Sequence, residues 1–357
     1  MAPPRRVRGE FLLWRKAGDA DRELCKDTIS QWIGEQPSQR HFQVSPDART
    51  LAYTDPKTRD LHLVRRGADE FTIPDVAGNE IRFAPFAPEI AVVRGHSYAR
   101  DARVIERVDL RRFQRSTWAE LREPRWIEYC KEGLVVLHQH LSKNTRTLSL
   151  LTWKGEVRAL ADTGAWTERF TTGKSSNRIV YFDGMNVFSM GTEDSAPKKC
   201  FGEPGKVRNA EMTPDGQRLL FATDDALYLA ESEGEPRMLT QGERVHSLWF
   251  SRDGAELAWA SDKRAVWQGR GETRELLGEQ EAAISALRFC QASPGLLVCR
   301  GNEVLLWNPE QNQQDVLTQV DAPKKPIGAD LFYGGMVIWA AEPWEYQGPR
   351  FKGNSFD

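Results

Sequence analysis

Several features typical of secreted, membrane-spanning and metal-binding proteins are lacking from this sequence. The five cysteines are scattered along 357 residues and form no CxxC pair. An odd, dispersed set argues against a disulfide framework or a zinc site and suits a reducing compartment. The apolar stretch nearest the N-terminus, FLLW, has four residues, far short of the ~20 that cross a bilayer. We therefore expect a soluble, cytoplasmic protein.

The sequence also has no marked excess of positive or of negative residues. Lys and Arg number 49, Asp and Glu number 51, and the formal net charge is −2. A chain with this balance has no overall field that would draw it onto nucleic acid or anionic lipid. We expect neither a nucleic-acid partner nor membrane insertion.

Local catalytic and cofactor motifs are missing too. There is no GxSxG nucleophile turn, and the phosphate-loop-like TGKS at 172–175 has Glu168 where the motif requires glycine. His138 and His140 share one face of a strand pattern, but zinc needs three or four ligands and the sequence supplies no others. The sequence predicts no catalytic residue, no cofactor and no metal.

What the sequence does contain is a recurring turn. SPDARTLAYT begins at Ser45, TPDGQRLLFAT at Thr213 and SRDGAELAWAS at Ser251. Each starts with a hydroxyl residue, has Asp two places later, and continues into an apolar strand, which is the chemistry of a tight β-turn. A second apolar segment follows each copy: DLHLV, ALYLA and AVWQG.

The turns belong to a longer repeat. First strands begin near positions 41, 81, 126, 166, 207, 245 and 284, with spacings of 40, 45, 40, 41, 38 and 39 residues. Four strands in roughly forty residues is the period of a β-propeller blade. A single blade cannot bury both of its faces, so the units must stack around an axis.

The two ends of the chain complement each other. Residues 10–25 resemble the second half of a unit, and residues 327–343 resemble the first half. Pairing them would remove the open edge of a linear array. The sequence thus predicts one all-β domain over 1–357: a β-propeller of eight four-stranded blades closed by a composite blade. A seven-bladed ring with the tail outside it is the alternative. We expect 1–8 and 344–357 to be flexible.

Two known families share features of these repeats. DLHLV, ALYLAESEGEPRMLT and the SPDA, TPDG and SRDG turns resemble TolB-like propellers, and EVLLWNPEQNQQDVLT resembles a WD40 repeat with Trp307-Asn308 in place of Trp-Asp. The resemblance covers 41–320 and implies a propeller. Most proteins resembling either family are binding platforms. It therefore implies a non-catalytic intracellular scaffold or adaptor for another protein, acting as a monomer or in a hetero-complex. The alternative is a hydrolase- or lactonase-like enzyme, or a small-ligand binder, that uses the central channel.

The first strand of each propeller unit is expected to start at one rim of that channel. Residues at this rim are predicted to contact a partner. Arg and Trp dominate binding hot spots, and Arg favours carboxylates, so an acidic segment is the expected ligand. The predicted rim residues are Arg40, Asn79, Trp126, Trp166, Arg208, His246 and Ser285.

A second candidate surface lies in the second unit. Residues 94–125 contain nine Arg against five Asp and Glu. We expect a strand followed by an extended basic loop, a surface that an acidic protein would fit; an ordinary solvated strand and loop is the alternative. The residues predicted to contact a partner here are Arg111, Arg112, Arg115 and Trp118.

Overall fold

A computed structural model of the protein describes residues 10–16, 22–27, 42–54, 58, 60–65, 70–95, 102–140, 143–184, 186–201, 205–231, 234–277, 283–290, 294–321, 325–332 and 335–341. The segments 1–8 and 344–357, predicted to be flexible, lie outside these residues. In the described part, no helix is long and apolar enough to cross a membrane.

The regular structure is β-strand throughout the described residues, and the strands assort into eight four-stranded antiparallel sheets. The first strands in the described residues are β1 (Glu10–Lys16) and β2 (Arg22–Asp27). Blade 1 contains β3 (Phe42–Val44), β4 (Thr50–Thr54), β5 (Leu61–Arg65) and β6 (Phe71–Ile73). Blade 2 contains β7 (Val76–Phe83), β8 (Glu89–Arg94), β9 (Ala102–Asp109) and β10 (Gln114–Arg122).

Blades 3, 4 and 5 follow in the same order. Blade 3 contains β11 (Trp126–Cys130), β12 (Gly133–Gln139), β13 (Arg146–Thr152) and β14 (Val157–Thr163). Blade 4 contains β15 (Thr167–Thr172), β16 (Arg178–Asp183), β17 (Asn186–Gly191) and β18 (Lys198–Phe201). Blade 5 contains β19 (Asn209–Met212), β20 (Arg218–Ala222), β21 (Ala226–Glu231) and β22 (Arg237–Gln241).

Two further blades and two single strands follow in the described residues. Blade 6 contains β23 (Val245–Phe250), β24 (Leu257–Ser261), β25 (Arg264–Gly269) and β26 (Glu272–Leu277). Blade 7 contains β27 (Ile284–Phe289), β28 (Leu296–Arg300), β29 (Glu303–Asn308) and β30 (Gln313–Gln319). The last strands are β31 (Lys325–Phe332) and β32 (Gly335–Ala341).

The closing blade joins the two ends of the chain. Its strand order is β2-β1-β32-β31, so β1 lies between β2 and β32, antiparallel to both. Trp14 of β1 pairs with Val337 on one side and with Arg22 on the other. Seven blades therefore come from four consecutive strands each, and one sheet is composite. The prediction of an all-β propeller of four-stranded blades, closed by both ends of the chain, is confirmed.

The inner strand of each blade contacts the inner strand of the next blade. These contacts run from β7 through β11, β15, β19, β23 and β27 to β31, and from β31 to β3. The Gln43 side chain of β3 donates to the Ile81 carbonyl of β7, which completes the ring. Apolar side chains fill the spaces between blades: Val180 and Phe182 of blade 4, for example, pack with Met212 and Phe221 of blade 5. Because each core is shared by two blades, no blade could exclude water alone.

The recurring turn forms as its chemistry predicts. The Thr213 hydroxyl donates to Asp215 Oδ1 at 2.6 Å and accepts from the Arg218 backbone N–H at 2.9 Å. Gly216 lies at φ 77°, where a Cβ is disfavoured. Ala48 occupies the equivalent place in the first copy at φ 54°. Alanine at this positive φ carries backbone strain that glycine would avoid.

One prediction about the second unit is wrong. The basic segment is not an extended loop, because β9 and β10 form a hairpin over most of it. The unit also starts earlier than predicted, at Val76, since β7 contains a register shift between Val76 and Ile81. The long strands β9 and β10, of eight and nine residues, account for the long spacing to the next unit.

Candidate functional site: the central channel and its rims

A large cavity runs along the axis on which the inner strands converge. It measures about 2330 Å³ and is lined by residues from inner strands of blades 1 to 7. We call the mouth where these strands begin the proximal rim, and the mouth where they end the distal rim. Arg208, before β19, marks the proximal rim, and Pro214, after β19, marks the distal rim.

An ion pair with two-point geometry lies at the proximal rim. Arg208 precedes β19 and Asp224 lies in the turn between β20 and β21 of the same blade. Arg208 Nε is 2.7 Å from Asp224 Oδ1, and Arg208 Nη2 is 3.1 Å from Asp224 Oδ2. A planar guanidinium thus binds both oxygens of one carboxylate, the strongest form of this contact.

Further cations surround the same carboxylate. The hydrogen bond from Arg208 holds the pKa of Asp224 below its ordinary value, and the charges of Arg244 and Lys206 act in the same direction. All four of these side chains are exposed. Three cations therefore act on the carboxylate of Asp224.

Two tryptophans, Trp126 and Trp166, line the same channel as these cations. Trp126 lies between two guanidinium groups, with Arg82 Cζ 5.4 Å and Arg169 Cζ 5.5 Å from its ring centroid. Arg169 also donates to the Arg208 backbone carbonyl, which links blades 4 and 5. Trp166, immediately before β15, is 78% exposed. Of the two predicted tryptophans, Trp166 presents its surface to solvent, whereas Trp126 is part-buried behind arginines.

His246 is more buried, and its ring nitrogens are more fully engaged, than the prediction of a ligand-contacting rim residue requires. Its side chain is 9% exposed. Nε2 lies 3.0 Å from the Ile284 backbone oxygen of blade 7, and Nδ1 lies 3.1 Å from Ser247 Oγ. Burial lowers the pKa of the imidazole, and Asp262 partly opposes this effect. The ring mainly joins blades 6 and 7. Ser285 is similarly engaged through its hydroxyl, which donates to Pro326 O.

Arg40 and the side chain of Asn79 lie outside the described residues. Trp118 was wrongly predicted as a surface contact: it is 5% exposed, because β10 turns this side chain inward next to a register shift at Thr117. Its Nε1 donates to the Thr152 carbonyl at 3.0 Å, and its ring packs near Tyr129 and Trp153.

The remaining predicted arginines are exposed. Arg111 and Arg112 lie in the β9–β10 turn, where Asp109 Oδ1 accepts both of their backbone N–H groups at 2.6 and 3.2 Å. Arg115 follows on β10, the outer strand of blade 2. Because β10 is farthest from the inner strand β7, this hairpin and the proximal rim are two separate surfaces.

Charged side chains also occupy the interior of the channel. Arg82 Nε lies 3.0 Å from Glu128 Oε1, and Arg288 Nη1 lies 2.9 Å from Asp330 Oδ2. Burial raises the pKa of Asp330 and Arg288 opposes this rise. Each pair joins two neighbouring blades, so both double as contacts that fix the ring.

Glu211 differs from these paired groups. In the part of the chain that the structure describes, its carboxyl has no hydrogen-bond or ion-pair partner. Burial raises its pKa to about 7; the charges of Lys174, Arg82 and Arg288 lower it and that of Glu128 raises it. A carboxyl poised near neutrality inside a channel can exchange a proton or accept a donor from a ligand.

The described residues contain no group of three or more His, Cys, Asp and Glu side chains arranged to hold a metal ion. His138 is buried and its Nε2 lies 2.9 Å from Ser149 Oγ, whereas His140 Nε2 lies 3.7 Å from Asp162. The two imidazoles thus engage different neighbours, one inside blade 3 and the other near its edge.

Sequence reasoning found Arg208 and Trp166 but missed the groups that define their surroundings. Lys206 and Arg244 each stand two residues ahead of a predicted rim position, Arg208 and His246 respectively, so a wider window would have included them. Asp224 stands beside Asp225 just before the apolar segment ALYLA, so its sequence context indicates only a turn. Glu211 is one charged residue in an otherwise uncharged short strand, NAEM, and that contrast was the available signal.

The raised pKa of Glu211 predicts a pH-dependent stability. From about pH 4.5 to about pH 7 the unfolded chain loses this proton while the folded chain keeps it, so wild-type stability falls over that window. Glu211→Gln removes this contribution. By denaturant titration, the free energy of unfolding of the variant should match wild type near pH 4.5 and exceed it by roughly 2 to 3 kcal/mol at pH 8.

The exposed Glu156→Gln serves as the matched control and should show no such pH-dependent gain. A Glu211→Gln effect of equal size at both pH values would contradict the assignment.

Comparison with solved structures gives many propellers at low sequence identity. Hsv2 of Kluyveromyces lactis has a TM-score of 0.53 and 13% identity, covering 79% of this chain and 98% of Hsv2. The β-propeller domain of the Trilobed protease from Pyrococcus furiosus, which has an open velcro topology, has a TM-score of 0.53 and 14% identity, covering 77% and 92%.

A third similar structure is the acylaminoacyl peptidase of Pyrococcus horikoshii, with a TM-score of 0.52 and 15% identity, covering 76% of this chain and 50% of the peptidase. No protein-family model matches the sequence, and no curated protein matches it. At such identities the likeness shows the fold alone. The likeness and the strand order together show a β-propeller fold.

Proposed function

We propose that this propeller is a non-catalytic binding platform that captures an acidic segment of another protein at its proximal rim. The observation that carries the proposal is the arrangement around Asp224, where a two-point arginine contact and two further cations converge on one carboxylate. The rim thus already binds the chemical group that an acidic partner would bring.

The charge balance at this place favours an added anion. Asp224 satisfies Arg208, but Lys206 and Arg244 have no ion-pair partner in the described residues. A second carboxylate arriving from a partner would bind these two cations without breaking the existing pair. Because the side chains are exposed, each contact is weak alone and several acidic residues in a row are needed.

Trp166 supplies the apolar component. Its side chain is 78% exposed and lines the same channel as the cations, and tryptophan is enriched in binding hot spots. The Arg169 contact with the Arg208 carbonyl fixes blade 4 against blade 5, so Trp166 and the cations keep a constant relation. The preferred ligand is therefore an acidic segment that also carries an apolar side chain.

The outer hairpin of blade 2 is a second basic surface for the same partner. Arg111, Arg112 and Arg115 are exposed, and none of them has an ion-pair partner within the described ranges. Backbone contacts to Asp109 fix the turn and leave the guanidinium groups available. Since this hairpin is remote from the channel, only an extended partner would reach both surfaces.

Charge reversal at the rim tests the primary site. We expect a labelled peptide of alternating Glu and Leu residues to bind wild type and to bind Lys206→Glu/Arg244→Glu at least tenfold more weakly, because two attractions become repulsions. Trp166→Ala should weaken binding by a smaller factor. Fluorescence anisotropy at about 150 mM salt measures both.

The matched control is Lys198→Glu/Arg237→Glu, which changes charge equally on the exposed outer strands of blades 4 and 5. It should leave the affinity within about twofold, as exposed charges act over roughly 8 Å at this salt. Equal losses in the rim and control variants would refute a rim site.

The hairpin has its own test. Reversing charge at Arg111, Arg112 and Arg115 together should weaken capture of the native partner in pull-downs from cells. The melting temperature should stay within a few degrees, because exposed charges contribute little to stability. Unchanged capture would remove the hairpin from the proposal while leaving the rim intact.

A further inference from the structure

Two ionisable side chains of opposite sign in the distal half of the channel have no ion-pair partner among the described residues. Glu211 lies on β19 of blade 5, one residue before the strand ends. Lys174 lies in the turn after β15 of blade 4. Both line the channel. Neither side chain has a hydrogen-bond or ion-pair partner within the described residues.

Backbone contacts hold the two elements together. The Ser175 N–H and its hydroxyl both donate to the Pro214 carbonyl, at 2.8 and 2.7 Å. This joins the turn that carries Lys174 to the turn that follows Glu211. Lys174 also exerts the largest charge effect on the pKa of Glu211. The ammonium and the carboxyl therefore belong to one small region, although they do not pair.

The other charges that act on Glu211 are already engaged. Arg82 pairs with Glu128, and Arg288 pairs with Asp330. These two neutral pairs leave one carboxyl and one ammonium to be satisfied. A ligand with only a cation would satisfy Glu211 but be repelled by Lys174, and a ligand with only an anion would meet the reverse problem.

We propose that the distal half of the channel binds a small zwitterion, a free amino acid or a short peptide. Its ammonium binds the Glu211 carboxylate and its carboxylate binds the Lys174 ammonium. The part-buried indole of Trp249, on the neighbouring inner strand β23, lines the same channel and supplies an apolar wall.

The energetics favour such a ligand over water. Burial makes an ionised Glu211 unfavourable when it stands alone, and an ammonium in contact stabilises the charged form. Binding should therefore release a proton from Glu211 near neutral pH. This site is separate from the proximal rim, so it does not depend on the capture of an acidic partner.

Calorimetry with matched probes tests the proposal on the full-length protein. The probes are alanine, the dipeptide Ala-Ala, N-acetyl-Ala-Ala, which lacks the ammonium, and Ala-Ala amide, which lacks the carboxylate. We expect alanine or Ala-Ala to bind and both capped forms to bind at least tenfold more weakly. The binding heat at pH 7 should vary with the ionisation enthalpy of the buffer, which reports the released proton.

Substitutions assign the two ends. Glu211→Gln and Lys174→Met should each weaken the zwitterion at least tenfold, and Glu211→Gln should abolish the buffer dependence. The exposed Glu156→Gln and Lys154→Met, in the turn between β13 and β14, are the matched controls and should bind as wild type. Melting temperatures show that every variant is folded.

Three results would overturn the proposal. These are no binding of alanine or Ala-Ala by wild type up to about 10 mM, equal binding of the capped forms, or unchanged binding by both channel variants. Loss of rim binding in the earlier peptide assay would leave this site unaffected, so the two proposals fail separately.

Discussion

The pairing of the two chain ends in one sheet is the constraint on which the rest of the structure depends. β1 lies between β2 and β32, and its backbone pairs with both neighbours along most of its length. Without this sheet, blades 1 and 7 would each expose an apolar face to water. Closure also brings β31 into the inner ring, where Asp330 meets Arg288 of blade 7.

Closure gives the channel its chemistry. Each inner strand contributes few polar side chains, yet strands from successive blades place them around one axis. Shared cores between neighbouring blades hold these side chains in fixed relation. Two rims with different character result: exposed cations and Trp166 lie at the strand starts, and a paired charge network with Glu211 and Lys174 lies deeper and at the strand ends. One fold thus offers a surface for a macromolecule and a pocket for a small one.

Much of the fold could be predicted because the same pattern recurs. A segment that is ambiguous in one unit can be assigned from its copies in the others. The turn at Thr213 is weak evidence by itself, but its copies at Ser45 and Ser251 set a register from which the other units follow. The site was harder to predict because its residues come from different blades. Arg208 pairs with Asp224 and Lys206 does not. This difference depends on side-chain geometry, which the spacing of residues in the sequence does not determine. Trp118 was misassigned because its segment was predicted to be an extended loop, whereas it forms strand β10, which turns the indole inward at a register shift.

Hydrogen exchange across the closing blade tests the central claim most directly. The account predicts that amides of β1, which are bonded on both sides, exchange as slowly as those of β12 in blade 3, because both strands open only when the ring opens. Mass spectrometry of peptides covering residues 10–16 and 133–139 measures this in the intact protein. Exchange of 10–16 at the rate of an unfolded chain, with 133–139 still protected, would contradict closure by the chain ends.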